Sequence, residues 1–217
     1  MRDKARNRPD LLLLLSLVLV ILLHPALDHG DFRRFILGAL MFVPVIIGTI
    51  RLAETKRRAW PAVSLMVAVL IFTIGATVSS NRVIAAIKWA LLAAFFALTI
   101  IRLFPYLRDA RAVGRAHLIT AVSIYLLLGM LWFAVYSAIE SLSPGAISHN
   151  SATQTDRSSE LLYFSFITVT TIGYGDIVPI QGEVRMLAAL EGITGVLYVA
   201  ITVAILVSAY KPPERGD

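Results

Sequence analysis

The chain has 217 residues and a mass of 23.8 kDa; it is 58% hydrophobic, only 16% charged, and carries a net charge of +6 at pH 7. A soluble globular domain runs nearer half apolar and a quarter charged, so this composition, gathered into long apolar runs, argues against a soluble enzyme. The basic residues fall in short clusters between those runs, which reads as a membrane-topology signal and not as a nucleic-acid-binding face.

In chain order the apolar windows are Leu11–Leu27, Phe35–Ile50, Trp60–Val78, Val83–Phe104, Leu118–Ile139 and Val184–Ala209. A bilayer core of roughly 30 Å takes about 20 such residues per helix, so six spans are expected. The basic start before Leu11–Leu15 also suits a cleavable signal sequence. However, His24-Pro25-Ala26-Leu27-Asp28 lacks a small-x-small cleavage site, and removal would leave the termini on opposite sides. Pro44 in the second window costs one helical hydrogen bond and predicts a kink. Cysteine is absent, so disulfides and thiolate metal sites are excluded.

Six spans place both termini on one side. With the termini inside, fourteen Lys and Arg residues fall in inner segments and six elsewhere, which favours cytoplasmic termini and a multi-pass cell-membrane protein. Arg33 and Arg34 oppose this count and are read as interface anchors. The expected division is a cytoplasmic N-tail (1–10), a four-span sensor-like domain (11–104), a cytoplasmic linker (105–117), a pore domain (118–210) and a C-tail (211–217). With tails this short, no appended regulatory domain is expected.

Voltage sensing needs three or four charges per subunit in the field, at about 2.3 kcal/mol per charge per 100 mV. The fourth window holds Lys88 alone, with Arg82 and Arg102 at its ends, and the second and third windows contain no acidic counter-charge. Conventional voltage gating is therefore not expected, and Lys88 is read as snorkelling. In the linker region, His117 with Arg108, Arg111 and Arg115 suits either solvated anchoring or a response to pH or to anionic lipid at the cytoplasmic face.

Between the last two spans the polar stretch Ser141–Ser159 reads as loop. After it, Ser158 or Ser159 is placed to cap a short helix whose first turn carries Glu160. The apolar run Leu161–Val169 is too short to cross a bilayer and is expected to be re-entrant. It leads into Thr170-Thr171-Ile172-Gly173-Tyr174-Gly175-Asp176. Glycines at alternate positions allow left-handed backbone and let successive carbonyls turn to one side. Such backbone survives at membrane depth only if it is buried or lines an ion or water path. One chain supplies one wall, so four copies are needed to ring an axis.

Thr168-Val169-Thr170-Thr171-Ile172-Gly173-Tyr174-Gly175 matches T-x-x-T-x-G-Y-G, and the segment resembles the selectivity filter of the potassium channel pore family. The resemblance covers Leu118–Tyr210. It implies an all-α membrane fold with six transmembrane helices, a re-entrant pore helix and filter, assembled as a homotetramer in the lipid bilayer, with K+ as permeant ion and no cofactor. The backbone oxygens of Thr171, Ile172, Gly173 and Tyr174, with the Thr171 hydroxyl, become the K+ ligands, and Gly175 completes the filter. Thr168 and Thr170 support it from behind, Asp176 follows it on the outer side, and Pro179 leads to the last span. Some bacterial relatives carry a pore-helix acid that braces this aspartate. Here that position is Ile167, so Asp176 is expected to find Tyr163 or a backbone group instead.

The last span contains Glu191, Gly192 and Gly195. An intramembrane carboxylate is costly and by default functional. Two readings stand: a neutral, hydrogen-bonded acid packed behind the pore helix near Thr168 or Ser165, or an acid facing the ion path. The glycines suit close helix packing or a gating hinge, Gly195 resembling the family's bending position. Ile201, Ile205 and Ala209 are candidates for an inner constriction.

Overall fold

The computed structural model describes residues 2–24, 42–47, 49, 60–79, 81–108, 113–148 and 156–209. Six helices are assigned: α1 (Arg2–Leu23), α2 (Trp60–Ser79), α3 (Arg82–Arg108), α4 (Arg115–Leu142), α5 (Arg157–Val169) and α6 (Gly182–Ser208). Residues 42–47, including Pro44, are also helical. Four helices, α2, α3, α4 and α6, are long and apolar enough to cross a membrane, and they correspond to the last four apolar windows. The apolar part of α1 is the shorter stretch Asp10–Leu23. Most of the window Phe35–Ile50, the end of Leu11–Leu27, Arg111 and residues 210–217 lie outside the described residues, as does the pair Arg33 and Arg34.

Helix α3 runs through Pro105 to Arg108 and α4 begins at Arg115, so six residues, 109–114, separate the two helices. Pro105 lies in the last turn, where its missing N–H removes one helical hydrogen bond, and the buried Leu103 and Leu107 on either side hold that turn against the core. His117 bonds back to the residue that precedes α4. Its Nδ1 accepts the Gly114 amide at 3.1 Å, and its ring stacks on Tyr106 at 4.5 Å.

Helix α3 lies along α4, α2 covers α3, α1 also packs on α4, and α5 is held between α4 and α6. A single apolar core runs from Leu13, Leu17 and Val20 of α1, through Leu92, Phe95 and Phe96 of α3, to α4 and on to Leu161 and Phe164 of α5. Lipid is as apolar as these side chains, so shape and internal hydrogen bonds, not water exclusion, decide how the helices meet. Hydroxyls inside the helices bond back to the preceding turn: Thr73 to Val69, Thr99 to Phe95, Thr120 to Ala116 and Ser123 to Ile119.

Candidate functional site

The short helix α5 starts at Asp156, whose carboxylate accepts the Arg157 amide at 2.9 Å. Ser158 and Ser159, the expected caps, are occupied elsewhere: both hydroxyls bond the His24 ring. At the far end the chain turns out of the helix with its amides pointing back. The Thr171 N–H donates to Thr168 O at 2.9 Å, and the Ile172 and Gly173 N–H groups both donate to Ile167 O, at 2.9 and 3.1 Å.

Positive φ values then recur at every second residue, +60° at Thr171, +50° at Gly173 and +83° at Gly175, while Ile172 and Tyr174 keep negative φ. Alternating handedness sends successive carbonyls to the same side, away from the helix that takes the amides. Among the described residues no hydrogen bond reaches the carbonyls of Thr171, Ile172, Gly173 or Tyr174, and Thr171 to Asp176 are exposed along this edge. Left-handed backbone is uncommon for a threonine, and Thr171 holds it because the next two amides are pinned to Ile167. Thr168 and Thr170 turn their hydroxyls to Phe164 O and Phe166 O, at 2.7 and 2.6 Å.

Beyond the filter, residues 178–180 are clamped by the loop after α4. An antiparallel bridge pairs Ile147 with Pro179. The Ser148 amide reaches Val178 O at 2.8 Å, and the Ile180 amide reaches Ala146 O at 2.9 Å. Arg157 ties this clamp to the helices with its whole guanidinium. Nη2 and Nε meet Glu140 Oε1 at 3.0 and 3.2 Å, Nη1 meets Glu160 Oε2 at 3.1 Å, and two N–H groups reach Ser148 O and Ile147 O at 2.9 and 2.7 Å. Removing one partner of such a cluster strands the others. Arg157→Leu should therefore cost about 2–4 kcal/mol, read as a lowered thermal midpoint of the purified protein. A midpoint equal to wild type would show that the cluster is ornamental. Asp176 lies close to the Tyr163 phenol, at the place where Ile167 leaves the acid brace missing.

Behind the filter lies the buried acid. Glu191 is fully inaccessible and is held by two other elements: the Tyr136 hydroxyl of α4 donates to Oε2 at 2.6 Å, and Ser165 Oγ of α5 stands 2.7 Å from Oε1. Ser165 Oγ is also 2.8 Å from Gly129 O. One hydroxyl proton serves one of these two acceptors, so a proton on the Glu191 carboxyl completes the set. Glu191 thus lies on the packed side of α6, joining α4, α5 and α6, and not on the face that lines the filter's open side.

Helix α6 runs unbroken through Gly192 and Gly195. Gly195 is buried, and a side-chain carbon there would overlap Val169 O and lie 3.0 Å from Val169 C, so glycine permits the close approach of α6 to the end of α5. Gly192 is looser, its nearest neighbours being Thr168 O at 3.7 Å and Thr171 Cγ2 at 3.9 Å. Three further contacts secure the same region: Tyr125 OH to Val169 O at 3.3 Å, Trp132 Nε1 to Thr194 Oγ1 at 3.3 Å and Tyr198 OH to Ala121 O at 2.6 Å. Tyr125, Trp132, Tyr136 and Tyr198 were not singled out from sequence. The available signal was that hydroxyl- and N–H-bearing aromatics on a span need polar partners inside it.

An open hollow of about 490 Å³ lies between the start of the filter and α6, lined among others by Thr168, Thr171, Gly173, Gly192 and Val196. From it α6 presents Leu190, Ile193, Leu197 and Ile201 outward. Ile205 and Ala209 continue along the same helix end, both half-buried. Lys88, within α3, holds its ammonium 4.1 Å from the centre of the Trp89 ring.

Residues 120–211 match the family model described as ion channel. This match covers less than half of the chain, and the matched segment is similar to potassium channels. Similar proteins include the two pore potassium channel b of Oryza sativa subsp. japonica, 39% identical over 35% of this chain and 19% of that protein. The inward rectifier potassium channel Kirbac3.1 of Paramagnetospirillum magnetotacticum is 27% identical over 50% of this chain and 35% of its own length. The human potassium voltage-gated channel subfamily A member 5 is 30% identical over 39% of this chain and 14% of its own length. The chain spans about a fifth of the length of the two rice relatives it matches. No solved structure matches the chain. The matched relatives are channels, and four of the described helices are long and apolar enough to cross a membrane, which supports a membrane protein.

Proposed function

We propose that the chain is a subunit of a homotetrameric, potassium-selective channel that passes K+ down its electrochemical gradient without a cofactor. The observation that carries this reading is the alternation of φ at Thr171, Gly173 and Gly175 above amides pinned to Ile167 and Thr168. It leaves a row of carbonyl oxygens on one exposed edge, and four such edges around an axis replace the hydration shell of a cation. The potassium channels to which the segment is similar support the same ion. In this reading six spans cross the membrane, both termini are cytoplasmic, Arg108, Arg111 and Arg115 sit near anionic lipid headgroups, and α3 is not a conventional voltage sensor. Lys88 lies over Trp89, and one such cation is too small a charge for steep gating.

The test is K+ against Na+ flux through purified protein in liposomes, beside Gly173→Ala. A carbon added at Gly173 meets nothing within 4 Å, so the penalty comes from its φ of +50° and not from crowding. An L-residue there costs about 1–2 kcal/mol and favours rotation of the carbonyl out of line. K+ flux is expected to exceed Na+ flux at least tenfold and to collapse in the variant. Equal fluxes of the two ions identify a weakly selective cation pore. No flux over a range of pH, lipid and voltage identifies a non-conducting membrane subunit.

A further inference from the structure

In the assembled channel, we infer, the amino-terminal helices dock on the pore domain of their own chain, and His24 is the latch that joins α1 to that chain's pore helix. The inference rests on the tetrameric reading above and adds to it which subunit each four-span domain serves. Six residues, 109–114, separate α3 from α4, a reach of roughly 20 Å at full extension. Across that short turn Tyr106 and His117 stack at 4.5 Å, with ring planes only 5° apart, so the helices are side by side from the turn onward. Short connections make antiparallel neighbours. The contact persists to the other end of the pair, where Trp89 of α3 meets Phe133 of α4 edge-on at 5.2 Å.

Helix α1 closes on the same surface. His24 is buried, its ring stands edge-on to Phe133 at 5.8 Å, Nδ1 is 2.8 Å from Ser159 Oγ and Nε2 is 3.2 Å from Ser158 Oγ. A neutral imidazole has one donor and one acceptor, and two adjacent hydroxyls serve both. Both ring nitrogens of a buried group in an apolar setting thus find partners on the first turn of α5 of the same chain. The filter begins at the opposite end of that helix, 13 residues away or about 20 Å. A displacement of α1 therefore bears on its own chain's filter and not on a neighbour's.

The chain contains no cysteine, so introduced thiols are the only ones present. The full-length His24→Cys/Ser159→Cys variant is treated in membranes with a short thiol-bridging reagent, and run on a denaturing gel with intact-mass analysis. Docking in cis yields monomers carrying one internal bridge, and co-assembled His24→Cys and Ser159→Cys single variants yield no linked pair. A ladder of linked dimers to tetramers, or linked pairs in the co-assembly, overturns the inference. Trp89→Cys/Phe133→Cys, which tests α3 on α4 beside the latch and keeps His24 and Ser159, provides a second pair in case the first variant fails to fold. Absence of any bridge in both pairs overturns the inference too. Native mass, measured before denaturation, is read separately. A species that is not tetrameric sinks the proposed assembly, while an internal bridge in it still upholds the cis contact.

Discussion

Replacing Glu191 with alanine is expected to abolish K+ flux and to lower the thermal midpoint of the purified protein sharply, whereas Glu191→Gln retains both. The reason is a hydrogen-bond inventory. Alanine leaves the Tyr136 hydroxyl and the Ser165 hydroxyl facing a void between three helices. Each stranded polar group costs about 1–3 kcal/mol, and the lost side-chain volume adds to it, for a total of about 3–5 kcal/mol. Glutamine is nearly isosteric. Its carbonyl accepts from Tyr136 and its amide donates to Ser165, the arrangement that a protonated carboxyl also provides. Tyr136→Phe removes one of the two bonds and should fall between. The pair of Glu191 variants separates the two readings that the sequence left open. An acid acting by its charge on the ion path would lose flux in the glutamine variant without losing stability, and that result would sink the packed-acid account.

The second large effect is expected at Gly195. Alanine there places a carbon against Val169 O, and also 3.0 Å from Val169 C and 3.1 Å from Val169 Cγ2. Backbone is the obstacle, and that carbonyl is fixed from the other side by Tyr125 at 3.3 Å. Overpacking of this kind costs about 1–3 kcal/mol or more. Because Thr171 follows Val169 by two residues, the displacement reaches the segment proposed to hold the ion. Gly195→Ala should lower flux at least tenfold together with thermal stability. Gly192→Ala, with neighbours at 3.7 and 3.9 Å, should leave stability unchanged or raised by up to about 1 kcal/mol from helix propensity. A hinge gives a different pattern, in which either alanine changes gating while the fold stays as stable as wild type. Flux and thermal unfolding measured on both variants distinguish the two.

Much of the pore segment is legible in the linear sequence because its signals are local. Length and apolarity mark α2, α3, α4 and α6, and the spacing of Gly173 and Gly175 foreshadows the left-handed positions that the backbone adopts. The first turn of α5 was less legible. Asp, Ser and Ser are all good caps, and a helix start read in isolation does not reveal that His24, 135 residues from Ser159, takes the two serine hydroxyls. Helix α3 runs four residues past the apolar window that ends at Phe104, because Leu103 and Leu107 are buried in the core. Left-handed Thr171 had no local signal, since its φ is imposed by amides tied to Ile167.

Apolar run length and the T-x-x-T-x-G-Y-G spacing are enough to mark long apolar helices and a short helix that runs into glycine-rich backbone. They also show that the fourth apolar window holds Lys88 alone within it, with Arg82 and Arg102 at its ends. Both follow from one-dimensional facts: bilayer thickness counts residues, and backbone handedness at glycine depends on the residue itself. Which residues stand behind that filter is a three-dimensional matter. Glu191, Tyr136 and Ser165 are separated by tens of residues; Glu191 stands out in its span and Ser165 could be named as a neighbour, but Tyr136 reads as an ordinary span side chain. Their meaning comes from the requirement that every buried polar group in a low-dielectric interior be matched, which is met only when α4, α5 and α6 close around one another.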